Sequence, residues 1–256
     1  MSEATSIKDH KSHLRDQVWT TLRQVALPDS RFHTDFTSFI PDFTGSSAAT
    51  TQLSALPIYQ TSRIIFIAPD NCLEELRHRA LQDGKVILVT TYGIRRGFWV
   101  LDPREIARED WRYASTLDGM EKVGRRVAFR EMKLLPVLEL TQGKLPMMVT
   151  GTGAISKVNG LRFGKGHGYF DLEWAMLYQS GLVTKETKTV SVCHACQVVD
   201  LELVGEIWDT GCDFLVTNEG VLTVEGAAKP ECGILFDSLE KGMLEEIHSL
   251  KELRDI

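Results

Sequence analysis

Between Ile7 and Leu27 the apolar residues Ile7, Leu14, Val18, Leu22 and Val25 recur at the spacing of an amphipathic helix. Pro28, which lacks an amide hydrogen, closes the segment, so the spacing predicts a helix over 7–27. From 29 to 61 the period is lost. Pro41, Gly45 and Pro57 bracket a Ser/Thr-rich stretch, which predicts a loop-rich connection with one short helix. From Arg63 the chain turns to strand, helix, strand: Ile64 to Ile67, then Leu73, Leu76, Ala80 and Leu81 on one helical face, then Val86 to Val89 after Gly84. Continuous apolar runs joined by a helix indicate parallel strands buried on both faces. Further strands are predicted at Phe98–Leu101, Lys133–Leu140, Met147–Thr150, Thr189–Cys193 and Phe214–Thr217, with a last helix over Leu239–Leu253. No internal repeat interrupts this alternation. The expected architecture is α/β: residues 1–256 as a single three-layer αβα domain around a mostly parallel sheet.

Composition narrows the function more than the fold. Lys and Arg total 29 against 35 Asp and Glu, a formal charge of −6, which gives no general basic surface for nucleic acid or anionic membrane. The first residues lack the apolar core of a signal peptide, and no stretch approaches the roughly 20 apolar residues that span a bilayer, so a cytoplasmic protein is expected. Cysteines at 72, 193, 196, 212 and 232 are an odd set in a chain too long to need stapling, which suits a reducing compartment.

The candidate chemistry lies in the glycine-rich run from Gly151 to Asp171, which follows the strand at 147–150 and leads into a helical pattern. Gly164, Gly166 and Gly168 let the backbone approach an anion and turn its N–H groups inward, and the helix start adds a positive dipole end. Arg162 and Lys165 supply forked and mobile positive charge for a phosphate. The loop is not a Walker motif, because Gly164-Lys165 is followed by Gly166 and no Ser or Thr. Spacing alone leaves a glycine-rich surface turn as the alternative to anion binding. Beyond Asp171, Leu172, Trp174, Ala175, Met176, Leu177 and Tyr178 cover most sides of the helix and mark it as buried.

The run Asn159-Gly-Leu-Arg-Phe-Gly-Lys-Gly-His-Gly-Tyr-Phe-Asp171 resembles the signature of the 5-formyltetrahydrofolate cyclo-ligase family. The resemblance extends to Lys11 and Arg15 on the first helix, to the strand-helix-strand at 63–90, and to Asp213-Phe-Leu-Val-Thr-Asn-Glu-Gly220. It implies the fold shared with sugar-phosphate isomerases and CoA-transferases. It also implies an ATP- and magnesium-dependent conversion of 5-formyltetrahydrofolate to 5,10-methenyltetrahydrofolate with release of ADP and phosphate, a reaction that asks the protein mainly for alignment and charge neutralisation. By the same resemblance Arg162 and Lys165 serve catalysis. Lys11, Arg15, Gly164, Gly166, His167, Gly168 and Tyr169 hold the nucleotide, and Asp70, Tyr169 and Phe170 meet a reduced folate. Asp171 and Asp213 bind the metal. The residues themselves leave alternatives: a solvated helix side for Lys11 and Arg15, and a helix cap for Asp171 or Asp70.

The signature also departs from the family. Phe170 stands for its second Tyr, and Ser156 stands where an acidic residue is common. These changes, together with Cys193-His-Ala-Cys-Gln-Val-Val-Asp200, resemble the divergent cyclo-ligase-like branch. A second expectation is therefore a non-catalytic or differently specific nucleotide or folate binder, linked to another cofactor pathway such as thiamin. A third is a relative of the sugar-phosphate isomerases or CoA-transferases, since a fold does not fix chemistry. Cys193-His194-Ala-Cys196 lacks one or two ligands for tetrahedral zinc unless Cys212 or Cys232 joins it, and small buried side chains at a strand end are the alternative. Arg95-Arg96 beside Tyr92, Phe98 and Trp99 reads either as a site for a polyglutamate tail or flat heterocycle or as ordinary surface arginines; Arg125-Arg126 adds less.

Overall fold

The computed structural model describes residues 14–29, 31, 35–164, 166 and 168–254. Its centre is an eight-stranded sheet of order β11-β10-β8-β5-β1-β2-β3-β4. Its strands are β1 Ile64–Ile67, β2 Val86–Thr90, β3 Phe98–Leu101, β4 Arg125–Val127, β5 Met147–Gly151, β8 Lys188–Val192, β10 Phe214–Val216 and β11 Val221–Thr223. The pairs β1–β2, β1–β5, β5–β8 and β8–β10 are parallel, and antiparallel pairs complete both edges. Every residue of β1, β2 and β5 is buried, as the apolar runs predict for strands covered on both faces. The strand β3 runs antiparallel because the Thr91–Gly97 connection is too short for a crossover.

A small second sheet interrupts the expected path from β5 to the glycine loop. It has the order β7-β6-β9, with β6 Ala154–Ser156, β7 Arg162–Phe163 and β9 Val198–Val199. The chain therefore leaves β5, makes the β6–β7 hairpin, and only then reaches the glycines and the helix Tyr169–Gln179. Residues 170–177 of that helix are all buried, as their all-round apolarity predicts, and Trp174 donates its Nε1–H to the Pro230 carbonyl at 2.8 Å.

Three expectations are corrected. Residues 133–140 form no strand: the short helix Pro136–Glu139 stands there, just after another at Phe129–Met132. Met132, Leu135 and Leu138 are buried at a spacing of three while Leu134 and Leu140 are 78% and 74% exposed, a helical period, and Pro136 occupies the first helical turn where a missing N–H costs nothing. The last helix is broken into Met243–Glu246 and His248–Arg254, because Ile247 takes an extended conformation at ψ 99°. Residues 29–61 carry two short helices, Ser46–Ser54 and Pro57–Thr61, in place of one. The first helix is described over 14–22; Ala26 then bridges to Phe43, ahead of Pro28. No helix among the described residues is long and apolar enough to cross a membrane.

The connection after β1 is fixed by a buried cation. Arg77, wholly inaccessible, donates from Nε to the Ser115 carbonyl at 2.7 Å and from Nη1 to the carbonyls of Ala68 at 2.7 Å and Asp70 at 3.2 Å. Burial lowers its pKa to about 10, which leaves it charged at neutral pH. A charged donor to three carbonyls at the end of a central strand holds that turn in one conformation. Replacing Arg77 by Leu should lower the unfolding free energy by roughly 2–4 kcal/mol in urea titrations, since the carbonyls lose their donor while staying buried. A loss under about 0.5 kcal/mol would contradict this role.

Candidate functional site

The order of strands marks where a ligand belongs. From β1 the chain moves to β2 on one side, and from β5 through β8 to β10 on the other, so the direction of winding reverses between β1 and β5. In open α/β sheets the crevice beyond the carboxyl ends of such strands is the binding position. Asp70 follows β1 there, and its Oδ2 accepts the Gly151 N–H at 2.7 Å and the Thr150 hydroxyl at 3.4 Å across the switch point. A side chain at Gly151 would put its Cβ 2.8 Å from Ile40 and 3.1 Å from the Asp70 Cβ, so glycine is what admits Asp70 to the end of β5. Asp70 precedes the short helical turn Asn71–Leu73 but makes no side-chain cap with it.

The glycine loop lies beside this crevice. Gly166 (φ +115°) and Gly168 (φ +63°) occupy conformations that side chains rarely adopt, and Gly168 is the residue from which the helix Tyr169–Gln179 starts. Arg15 from the first helix brings its guanidinium within 3.6 Å of where a Gly166 Cβ would stand. Burial lowers the Arg15 pKa, against a smaller opposing effect of Asp16. Arg162 comes from β7 with a side chain only 4% exposed. Its guanidinium carbon sits 4.4 Å from the centroid of the Phe170 ring, which in turn packs on Phe66. Its Nη2 is 3.2 Å from Asp171 Oδ1, close enough for charge pairing, yet neither Nε nor Nη2 makes a well-formed hydrogen bond. Its Nε and Nη2 are donors from which an oxyanion in the adjoining cavity could accept.

Two cavities meet at Arg162, Gly164 and Gly168. The larger, about 410 Å³, runs over Arg15 and the loop and is walled by Trp208, Leu235, Leu239 and Met243. Its rim also carries Glu206, Asp209 and Glu240, so the cleft is positive only at the loop. The smaller, about 50 Å³, opens at the switch point between Asp70, Thr150, Tyr169 and Glu173. Ile94 borders it at φ +57°, an unusual conformation for a β-branched residue, held by its N–H bonding to the Thr91 carbonyl at 2.7 Å.

Glu173 was not singled out by the sequence, although it is an acidic residue in the middle of an otherwise apolar helix. It is fully buried, and the Thr90 hydroxyl from the end of β2 donates to its Oε1. Burial raises its pKa to about 8; the Thr90 bond opposes this, Asp70 reinforces it, Arg162 opposes it and Asp171 reinforces it. Glu173 is therefore an uncharged acid at neutral pH.

The other expected site residues fall as follows. Lys11, Lys165 and His167 lie outside the described residues. Arg15, Gly164, Gly166, Gly168, Arg162 and Asp171 are brought together around the larger cavity, and Asp70, Tyr169 and Phe170 around the smaller. Asp171 sits in the first turn of its helix and accepts the Thr210 N–H at 2.9 Å, tying a distant loop to the helix. Asp213 borders neither cavity. It bonds the Thr189 amide at 2.8 Å, Lys229 at 2.8 Å and Lys188 at 3.3 Å. Burial would raise its pKa, but the Lys229 ammonium and the remaining bonds outweigh that and hold it below the usual range. Asp171 is engaged by Arg162 and Asp213 by Lys229 and Lys188, and no group of three His, Cys, Asp or Glu is gathered among the described residues.

Ser156 borders neither cavity. Its hydroxyl donates to the Leu201 carbonyl at 2.6 Å and accepts the Val158 and Asn159 amides, closing the β6–β7 turn. Cys193 is buried just after β8, while the His194 Nδ1 accepts the Cys196 N–H at 3.1 Å as a turn cap. Arg95 pairs with Glu246 and Arg96 with Glu121 at the surface.

Comparison with known proteins places this geometry in a lineage. The model of the 5-formyltetrahydrofolate cyclo-ligase family matches residues 7–218, and the chain belongs to that family. The methenyltetrahydrofolate synthase domain-containing protein of Homo sapiens is 31% identical over 257 residues, covering 98% of this chain and 63% of that protein. That of Danio rerio is 31% identical over 250 residues, covering 96% and 62%. The chain thus spans less than two thirds of these relatives. Among solved structures, the NMR structure of Aquifex aeolicus 5,10-methenyltetrahydrofolate synthetase shares the fold with a TM-score of 0.51 and 18% identity, over 85% of this chain and 94% of that one. The cavity wall at 233–243 lies beyond the part matched by the family model.

The Glu173 environment carries a stability signature. Its folded pKa of about 8 lies above the ordinary glutamate value near 4.3, so its contribution to stability is fully present below about pH 4.3 and is lost as pH rises toward 8. Glu173→Gln cannot titrate. Its stability relative to the natural protein should therefore rise between pH 5 and pH 8, by roughly 2–4 kcal/mol in urea titrations. A difference that stays constant over that range would show Glu173 to be ionised in the folded state.

Proposed function

We propose that this member of the cyclo-ligase family is an enzyme that uses ATP to convert 5-formyltetrahydrofolate to 5,10-methenyltetrahydrofolate. In that reaction the γ-phosphoryl group passes to the formyl oxygen, N10 attacks the activated carbon, and the oxygen leaves as phosphate beside ADP. The demand on the protein is to bring two ligands together and to neutralise phosphate charge where they meet. The buried, incompletely bound Arg162 at the junction of the two cavities is the observation that carries this reading. The larger cavity suits the nucleotide, with apolar and aromatic walls for a base and Arg15 and the glycine loop for its phosphates. The smaller suits the edge of the folate, with Asp70 and Tyr169 beside it. Lys11, Lys165 and His167 join the phosphate contacts by family likeness. Magnesium enters as the counter-ion of the nucleotide substrate, in keeping with the engagement of Asp171 and Asp213 by cations.

A second reading, a nucleotide or folate binder that does not turn over, draws support from that same pairing of Asp213 with Lys229 and from Phe170 lying beneath Arg162 without a hydroxyl. One assay separates them. Protein, ATP, magnesium and 5-formyltetrahydrofolate together should generate the strongly absorbing methenyl product; ATP binding without product would favour the binder. Lys165→Ala, a change in the loop, should weaken ATP binding about 10–100-fold by calorimetry through loss of a charge-assisted phosphate contact. Unchanged affinity would count against the loop as the phosphate site.

A further inference from the structure

The chain has five tryptophans, and four of them pack into apolar clusters. Trp174 is wholly buried in the main core, Trp99 and Trp111 lie against it, and Trp19 packs with Leu22, Phe36 and Phe39. Trp208 belongs to none of these clusters. It is half-buried on the wall of the larger cavity, and among the described residues no ring packs on its indole and nothing accepts its Nε1–H. A lone aromatic at the surface is ordinary, but this one is held in place. The turn 206–209 that carries it is closed twice: the Asp209 N–H donates to the Glu206 carbonyl at 3.0 Å, and the Glu206 N–H donates to Asp209 Oδ2 at 2.8 Å. The next residue, Thr210, donates its N–H to Asp171 Oδ1 at 2.9 Å, in the first turn of the helix that starts from Gly168. That same carboxylate oxygen lies 3.2 Å from Arg162 Nη2. A run of short contacts therefore sets Trp208 at a fixed place relative to the glycine loop and Arg162.

The rest of this apolar wall comes from Leu235, Leu239 and Met243, of which Leu239 and Met243 are anchored on the main core. Arg15, Arg162 and the loop glycines line the same cavity, whose volume of about 410 Å³ is that of a small-molecule site. One cavity thus joins cations for a phosphate to an aromatic face that the fold leaves uncovered. We propose that Trp208 is a specificity-determining residue of the nucleotide site: its indole stacks on the base, so that the site distinguishes a nucleoside triphosphate from a bare polyphosphate. Every base has a π-face, so this contact senses that a base is present more than which base it is. The inference rests on the nucleotide reading of the larger cavity and assigns the residue that meets the base. Residues 233–243 lie beyond the part matched by the family model, so this portion of the base wall is not supplied by the shared signature.

The test is calorimetric binding of ATP and of inorganic tripolyphosphate, each with magnesium, to the natural protein, Trp208→Ala and Trp208→Phe, with tryptophan emission followed in parallel. The natural protein should bind ATP about tenfold more tightly than tripolyphosphate, the order of one base–aromatic stack. Trp208→Ala should lose about tenfold for ATP and nothing for tripolyphosphate, which also checks that its phosphate site is folded. Trp208→Phe keeps an aromatic face and should hold ATP within about threefold of the natural protein, while the change in tryptophan emission on adding ATP disappears. If Trp208→Ala fails to fold, the emission of Trp208→Phe decides alone: a change that persists puts the base at another tryptophan and overturns the inference. Equal ATP affinity in Trp208→Ala and the natural protein, or equal losses for the two ligands, also overturns it and leaves the functional reading standing. Failure of the natural protein to bind either ligand overturns both.

Discussion

A buried guanidinium without a full set of acceptors is the constraint around which this site is organised. Arg162 has one nearby carboxylate, one aromatic face and two nitrogens without a proper hydrogen bond, in a setting only 4% exposed. Such a group is costly unless something arrives to complete it. The surroundings meet part of that cost. Phe170 offers its ring face, Asp171 offers charge at 3.2 Å, and Phe66 fixes Phe170 in turn. Arg77 is the instructive contrast, since it too is inaccessible and leaves its Nη2 without a partner, but its other two nitrogens reach carbonyls at 2.7 Å and it serves the fold.

Everything near Arg162 follows from elements that the sheet places there. The reversal of winding between β1 and β5 opens the crevice, and Gly151 lets Asp70 close its floor. The β6–β7 hairpin carries Arg162 to the loop, and Gly168, in a left-handed conformation, turns the chain into the helix Tyr169–Gln179. The two cavities share Arg162, Gly164 and Gly168 and so meet at one residue and one loop.

Much of this was legible in the sequence because it rests on local pattern. Apolar runs at 64–67, 86–89 and 147–150 located the central strands, and the glycines at 164–168 located the turn before the helix. What was missed depends on distance in the chain. Residues 133–140 are apolar enough to resemble a strand, and only the buried triplet Met132, Leu135 and Leu138 reveals a helical period. The ion pairs of Asp213 were not legible, because no sequence pattern shows Lys229 and Lys188 reaching it. Glu173 drew no notice in the sequence, since its partner Thr90 lies 83 residues away and its environment exists only after the sheet has formed.

The account is tested most directly by a crystal structure of the protein with a non-hydrolysable ATP analogue. It predicts a terminal phosphate oxygen within about 3 Å of the Arg162 Nε or Nη2, with the amides of the 164–168 loop turned toward the same group. A triphosphate bound away from that loop, with the Arg162 nitrogens still lacking an acceptor, would contradict it.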